Sequence, residues 1–245
     1  MNKKCQLSDI FKNLKFKEDF LIIHSDLLSF YKFKFDINFF FNTLSRSLGK
    51  NKTLIFPSFN LVKRRRWFLN KTKGESGSLS EYVRKNLVNI RTLNPLHSIC
   101  IYGPKKKQIP IDKCLSSFGK NSSWEWLCEN KKVRNISLGI DLVGGATICH
   151  YPEEKAGVYY RKYEKIDTNV YNSKDKLLKK KFTFFARKKG YINSWLKCQK
   201  DLKKKKIFIH HKNSFNIPIF SMNANKATNF ILKKILKDNN YLINK

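Results

Sequence analysis

Phe20-Leu-Ile-Ile-His24-Ser25-Asp26 decides the fold class: a compact apolar run that ends abruptly in polar residues. A short run that is apolar at both alternating positions reads as a strand buried on both faces, as parallel sheets require. Polar residues at the end of such a strand are placed for a ligand, or else form a capping turn before the next element. Working outward, Asp36 is positioned to cap a helix. Ile37, Phe40, Phe41, Leu44 and Leu48 follow helical spacing, and Gly49 stops it. Thr53-Leu-Ile-Phe56 is a second buried strand, ended by Pro57. Strand, helix, strand in this order predicts an α/β protein with a central mixed β-sheet flanked by helices.

The remaining elements are weaker. Lys63 to Gly77 is basic and aperiodic and reads as a loop. Ser78 or Ser80 starts a helix through Leu87, with Glu81 in its first turn. His97–Tyr102, Val133–Leu138 and Lys181–Arg187 are strand candidates. Asn193 or Ser194 caps a helix to Lys205, Ile207–His210 and Ile217–Ser221 form a strand pair, and Asn223–Leu236 is a final amphipathic helix. Residues 1–18 read as a polar lead-in with a helical turn around Ser8 to Leu14, and residues 19–245 as one continuous domain.

Composition bounds the function classes. The 245 residues are 41% hydrophobic and include 20 Phe and 10 Tyr, too apolar for a disordered basic tail. Lys and Arg number 51 against 18 Asp and Glu, a net charge of +33. Nucleic-acid binding would explain the charge. So would a biased composition in which Lys, Asn, Phe and Ile are abundant together, and that reading is preferred. Either way, phosphate-bearing ligands are attracted. The Cys are scattered, with no spacing for zinc, so no metal is expected. No signal peptide or span of apolar residues is seen, so a cytoplasmic protein with reduced thiols is expected.

Three patterns carry chemistry. In Thr147-Ile-Cys-His150-Tyr-Pro-Glu153-Glu154, after the apolar run Val133 to Val143, a hydroxyl, an imidazole and two carboxylates meet at the end of a predicted buried strand. An imidazole held by a carboxylate is suited to general-base work; the alternative is a His that satisfies a backbone carbonyl. Pro152 disfavours helix at Tyr151 and so argues against His150 and Glu153 sharing a helical face. His24-Ser25-Asp26-Leu27-Leu28-Ser29 is the strand end described above. In Arg91-Thr-Leu-Asn94-Pro-Leu-His97-Ser98, Arg91 can bind a phosphate, and His97 and Ser98 can donate to an amide or thioester.

Taken in order, these patterns resemble the aminoglycoside 3-N-acetyltransferase family. Leu21 to Leu27 is similar to the family's strand ending in His-Ser-Ser-Leu. Gly49 through Thr53-Leu-Ile-Phe-Pro57-Ser-Phe59 resembles Gly-Thr-Leu-x-x-Pro-x-Phe, and Gly77-Ser-Leu-Ser-Glu81-Tyr-Val-Arg84 resembles Gly-x-Leu-x-Glu-x-x-Arg. Arg91 through His97-Ser98 resembles Arg-Ser-x-His-Pro-x-His-Ser, and Thr147-x-x-His150-x-x-Glu153 resembles Thr-x-x-His-x-x-Glu. Asn94 stands where the family has its first His of that block, Asp26 where it has Ser, and Pro152 interrupts the last motif. His150 to Arg161 looks more like members acting on nucleotide-linked or surface-polysaccharide amino sugars than like the resistance enzymes.

The resemblance implies acetyl transfer from acetyl-CoA, as co-substrate, to a primary amine of an amino sugar: an aminoglycoside or a polysaccharide precursor. It implies His150 as base, Glu153 as its orienting carboxylate and Thr147 as donor to the acetyl carbonyl. It implies acetyl-CoA along His24, Ser25, Asp26, Leu27, Leu28 and Ser29, with Arg91, His97 and Ser98 nearby. Glu81 and Glu154 are expected against the acceptor. Direct transfer leaves Cys149 as a core residue.

Overall fold

Alternation along the first strand divides the core in two. In β1 (Phe20–Ser25), Phe20 and Ile22 join one apolar cluster while Leu21 and Ile23 join another. Successive side chains of a strand point to opposite faces, so this strand is covered on both sides. The computed structural model describes residues 3–60, 65–88, 90–111, 115–142 and 144–244. The other strands in chain order are β2 (Thr53–Pro57), β3 (Arg66–Phe68), β4 (Ile99–Tyr102), β5 (Val133–Leu138), β6 (Arg161–Lys165), β7 (Asn169–Tyr171), β8 (Thr183–Arg187), β9 (Ile192–Asn193), β10 (Ile209–His210), β11 (Ile219–Asn223) and β12 (Ile243–Asn244). The α-helices are α1 (Lys3–Phe11), α2 (Ile37–Leu48), α3 (Ser78–Asn86), α4 (Ser123–Glu129), α5 (His150–Ala156), α6 (Trp195–Lys204) and α7 (Ala224–Lys237).

The main sheet has six strands in the order β10-β11-β5-β1-β2-β4. Strand β1 runs parallel to β2 and β5, while β4, β11 and β10 pair antiparallel at the two sides. The sheet is therefore mixed, with α1, α2 and α3 contributing to the cluster on one face and α6 and α7 to the cluster on the other. Asp36 caps α2 by accepting from Phe39 N at 2.8 Å, and Gly49 closes it at φ 105°, a conformation that favours glycine. Asn223 caps α7 in the same way through Lys226 N.

Residues of the lead-in pack against the rest of the chain. Leu7, Ile10, Phe11 and Leu14 are buried, and Phe11 packs edge-on against Phe40 at 5.4 Å. Glu18 is buried and ion-paired with Arg134 of β5 at 2.9 Å. The segment before β1 is thus part of the domain. The predicted Lys63–Gly77 loop, of which residues 63 and 64 lie outside the described residues, contains β3. That strand pairs parallel with β7 and buries Trp67. A second small pair, β6 with β8, is antiparallel. Its Arg161, Lys165 and Arg187 line a cavity together with His150.

The Thr147–Glu154 motif does not close a strand. Strand β5 stops at Leu138, and a 3-10 turn (Ala146–Cys149) leads directly into α5. Pro152 does not prevent this helix. It occupies the first turn, where its missing N–H has no intrahelical acceptor to lose. His150 and Glu153 therefore stand three apart on one helical face.

Candidate active site

Glu153 is fully buried, and its Oε2 lies 2.7 Å from Nδ1 of His150. Arg161 Nη2 reaches the same oxygen at 2.9 Å, and the Tyr160 hydroxyl donates to Oε1 at 3.0 Å. Burial pushes the Glu153 carboxyl up, but the hydrogen bond and charge of His150 and the guanidinium of Arg161 outweigh it. The net pKa lies below the ordinary carboxylate value. An ionised carboxylate can only accept, so Nδ1 of His150 carries the proton and donates it to Glu153. In the neutral ring Nε2 is then the nitrogen with the lone pair. The Arg161 Nη2 contact to Nδ1 at 3.2 Å is proximity between two donors.

The His150 ring is framed by Phe118 at 5.6 Å and by Trp195 edge-on at 5.5 Å, which fixes its orientation. His150 lines a cavity of about 320 Å³ together with His97, Phe118, Arg161, Phe185 and Arg187. His97 is placed there by a side-chain turn: Asn94 Oδ1 accepts from the N–H groups of Leu96 and His97 at 3.1 and 2.9 Å. Its Nδ1 is 2.7 Å from Ser117 Oγ. Burial, with repulsion from His150 and Arg161, pushes the His97 pKa down to about 3, so this imidazole is neutral.

Thr147 opens onto a smaller adjoining cavity of about 150 Å³, with His24, Ser25, Phe59 and Gly144, at the carboxyl ends of β1 and β2. Phe59 lies between the two cavities, its ring 5.1 Å from His97. Ser25 also lines a third, open groove of about 730 Å³ with Asp26, Leu27 and Leu28. Leu28 and Tyr31 stand exposed beside it at 81% and 79%. The three spaces follow one another from the end of β1 to His150. They occupy the position where open α/β sheets take ligands.

Several expected contacts turn inward instead. Arg91 is buried beneath Trp67, its guanidinium 4.7 Å from that ring. It donates to the carbonyls of Thr72 at 2.6 Å and Ser58 at 2.7 Å, to Asn60 Oδ1 at 3.0 Å and to Ser98 Oγ at 3.0 Å. Burial lowers its pKa to about 10. Arg91 thus ties loops together and presents no charge to a phosphate. Ser98 donates to Ser58 O at 2.6 Å and lies wholly inside. Ser29 donates to Gly139 O at 2.9 Å. His24 is buried in β1 with its pKa lowered to about 4 by desolvation, though it still edges the Thr147 cavity. Asp26 caps the turn that follows β1 by accepting from Leu28 N at 3.0 Å, while still edging the open groove.

The two expected acceptor carboxylates are also bound within the protein. Glu81 is bound by Arg84 at 2.7 Å and by Gly74 N at 2.9 Å, and it does not line the His150 cavity. Glu154 is buried away from it, accepting from Ser116 Oγ at 2.6 Å, and burial raises its pKa. Cys149 is buried, and contact with the Cys198 thiol together with burial holds its pKa well above the ordinary thiol value. Sequence reasoning had not assigned Tyr160 and Arg161 a role, although the quoted run Gly157-Val-Tyr-Tyr-Arg161 contains both. Only the folded geometry shows that they complete the Glu153 environment.

The model of the family described as aminoglycoside 3-N-acetyltransferase matches residues 22–235. The chain belongs to the aminoglycoside 3-N-acetyltransferase family. It is an acyltransferase. No curated sequence matches it. The acetyltransferase shares its fold with solved structures of low identity. Aminoglycoside acetyltransferase AAC(3)-IIb superimposes with a TM-score of 0.79 at 14% identity, covering 97% of this chain and 98% of that one. AAC-IIIb in binary complex with CoASH gives 0.74 at 14% identity, covering 97% of each. The YokD protein from Bacillus subtilis gives 0.76 at 16% identity, covering 97% and 100%. Among the described residues of the acetyltransferase, no helix is long and apolar enough to cross a membrane. No group of three or more His, Cys, Asp or Glu there is arranged to hold a metal ion.

Proposed function

We propose that this acetyltransferase moves an acetyl group from acetyl-CoA to a primary amine of an amino sugar by direct transfer. The single observation that carries the mechanism is the fully buried Glu153 carboxylate at 2.7 Å from His150 Nδ1. It supports the tautomer in which Nε2 is free to take a proton. The family and the CoASH complex of a fold relative support the donor.

In this reading acetyl-CoA enters by the groove at Ser25 to Leu28, and its thioester reaches the space beside Thr147. The acceptor occupies the His150 cavity. The amine nitrogen attacks the thioester carbonyl carbon, and its proton passes to Nε2 of His150. The C–S bond then breaks, and the CoA thiolate leaves and is protonated. Buried Glu153 stabilises the imidazolium, and Arg161 and Tyr160 keep Glu153 ionised and in place. The Thr147 hydroxyl donates to the developing oxyanion, a contribution of roughly 3 kcal/mol where one such donor has been removed elsewhere. Cys149 takes no part.

The test is CoA release, followed with a thiol reagent, from acetyl-CoA and a panel of amino sugars, beside thermal unfolding with acetyl-CoA present. Release that depends on an amine and stabilisation by acetyl-CoA are expected. Neither release nor stabilisation at millimolar ligand would overturn the reading.

A further inference from the structure

The His150 cavity holds more positive charge than its proton chemistry requires. Arg161, Lys165 and Arg187 line it against one carboxylate, Asp167. Glu153 neutralises Arg161. Lys165 and Arg187 are exposed and form no ion pair among the described residues.

Two independent features mark this wall as built for an anion. Arg161 and Arg187 are direct cross-strand partners in the β6–β8 pair. Like charges directly opposite one another destabilise a sheet unless something lies between them. The Arg161 side chain is also only 8% exposed, yet its Nε has no hydrogen-bond partner. A buried donor left unmade is costly, so a ligand oxygen there would be stabilising. Guanidinium groups present paired donors that suit phosphate oxygens.

We infer that the acceptor is an amino sugar bearing a phosphate, either as a sugar phosphate or through a nucleoside diphosphate, with Arg161, Lys165 and Arg187 around its oxygens. The inference rests on reading this cavity as the acceptor site. The aromatic wall of Trp67, Phe118, Phe184 and Phe185 offers faces for the attached ring. A polycationic aminoglycoside fits poorly. Each added ammonium meets the unpaired Lys165 and Arg187 against one carboxylate, Asp167, on the wall of a protein of net charge +33.

The experiment compares kcat/KM for four acceptors at fixed acetyl-CoA: a polyamine aminoglycoside, glucosamine, glucosamine phosphate and a nucleoside-diphosphate-linked amino sugar. One or both phosphorylated acceptors should exceed glucosamine and the aminoglycoside by about tenfold or more, with the advantage shrinking as salt rises. The choice between them separates the two sources of phosphate. In Lys165→Glu and Arg187→Glu the ratio of phosphorylated to neutral acceptor should fall about tenfold, chiefly through KM for the acceptor. Equal or better use of the aminoglycoside, or an unchanged ratio in both variants, overturns the inference while leaving acetyl transfer intact. Calorimetry with the same acceptors separates the alternatives if none turns over. Selective binding of the phosphorylated sugars, weakened by Arg187→Glu, would sustain the anion site and remove the transfer mechanism. Binding of none would remove both.

Discussion

Glu153 accepts the Nδ1 proton of His150 at 2.7 Å across a single helical turn that has Pro152 inside it. The geometry works because proline in the first turn of a helix forfeits no hydrogen bond. The pair faces a cavity on one side and a buried guanidinium and phenol on the other.

His150→Ala is expected to lower kcat at neutral pH by about 100- to 10,000-fold while acetyl-CoA binding persists. The defect should shrink as pH rises, because more of the acceptor amine is then already neutral. Glu153→Gln should cost less, since the base remains and only its charge partner is lost. Steady-state rates across pH, with calorimetry for acetyl-CoA, check this. A wild-type rate and pH profile in His150→Ala would reduce the motif to a structural one.

Cys149→Ala should retain most activity. The thiol is buried and its pKa is held high, so it is no nucleophile at neutral pH. Mass spectrometry of a rapidly quenched reaction should find no acetyl group on Cys149. An acetylated Cys149 that forms and decays at the catalytic rate would replace direct transfer with an acyl-enzyme.

Arg91→Lys separates a loop anchor from a phosphate ligand. A lysine cannot reproduce the fork that binds Thr72 O, Ser58 O and Asn60 Oδ1 together. Stability should fall by about 2–4 kcal/mol in urea unfolding, with KM for acetyl-CoA changed less than about twofold. Unchanged stability with a large rise in that KM would return Arg91 to the phosphate.

Acid should unfold the protein from below neutrality. His24 and His97 have folded pKa values pushed down to about 4 and about 3, mainly by burial. In the unfolded chain both titrate near 6.5, so as pH falls from about 6.5 the unfolded state binds protons that the folded state refuses. Above that pH neither group affects stability. Between about 6.5 and 4 each lowers stability by up to roughly 1.4 kcal/mol per pH unit. Glu153, whose pKa is lowered, adds a loss only as pH drops below the ordinary carboxylate range. Urea midpoints measured from pH 7.5 to 4.5 should show this slope, and His24→Leu should flatten it. An equal slope in the variant would show that His24 is not held neutral.

The sequence by itself determined β1, β2, β5 and the helix capped by Asp36. These elements state themselves locally: apolar runs buried on both faces, a cap within three residues of its donor, a glycine at positive φ. It also determined the order of the motifs, and with them the family, because those spacings survive unfolding. The small pairs β3–β7 and β6–β8 were illegible or half legible, since each strand is short and its partner lies far along the chain. Only the tertiary structure decided which polar groups face the cavity. Arg91, Ser98 and Glu81 each sit in motifs that invite a ligand, yet carbonyls and a guanidinium in the folded chain take up their hydrogen bonds, and Glu154 is bound through one oxygen by Ser116. Arg161, Lys165 and Arg187 reach the His150 cavity only because the β6–β8 pair forms one of its walls. A side chain's partner is set by what packs against it after folding, and burial, which governs the hydrogen bonds and pKa values here, is a property of that packing and not of any local stretch of chain.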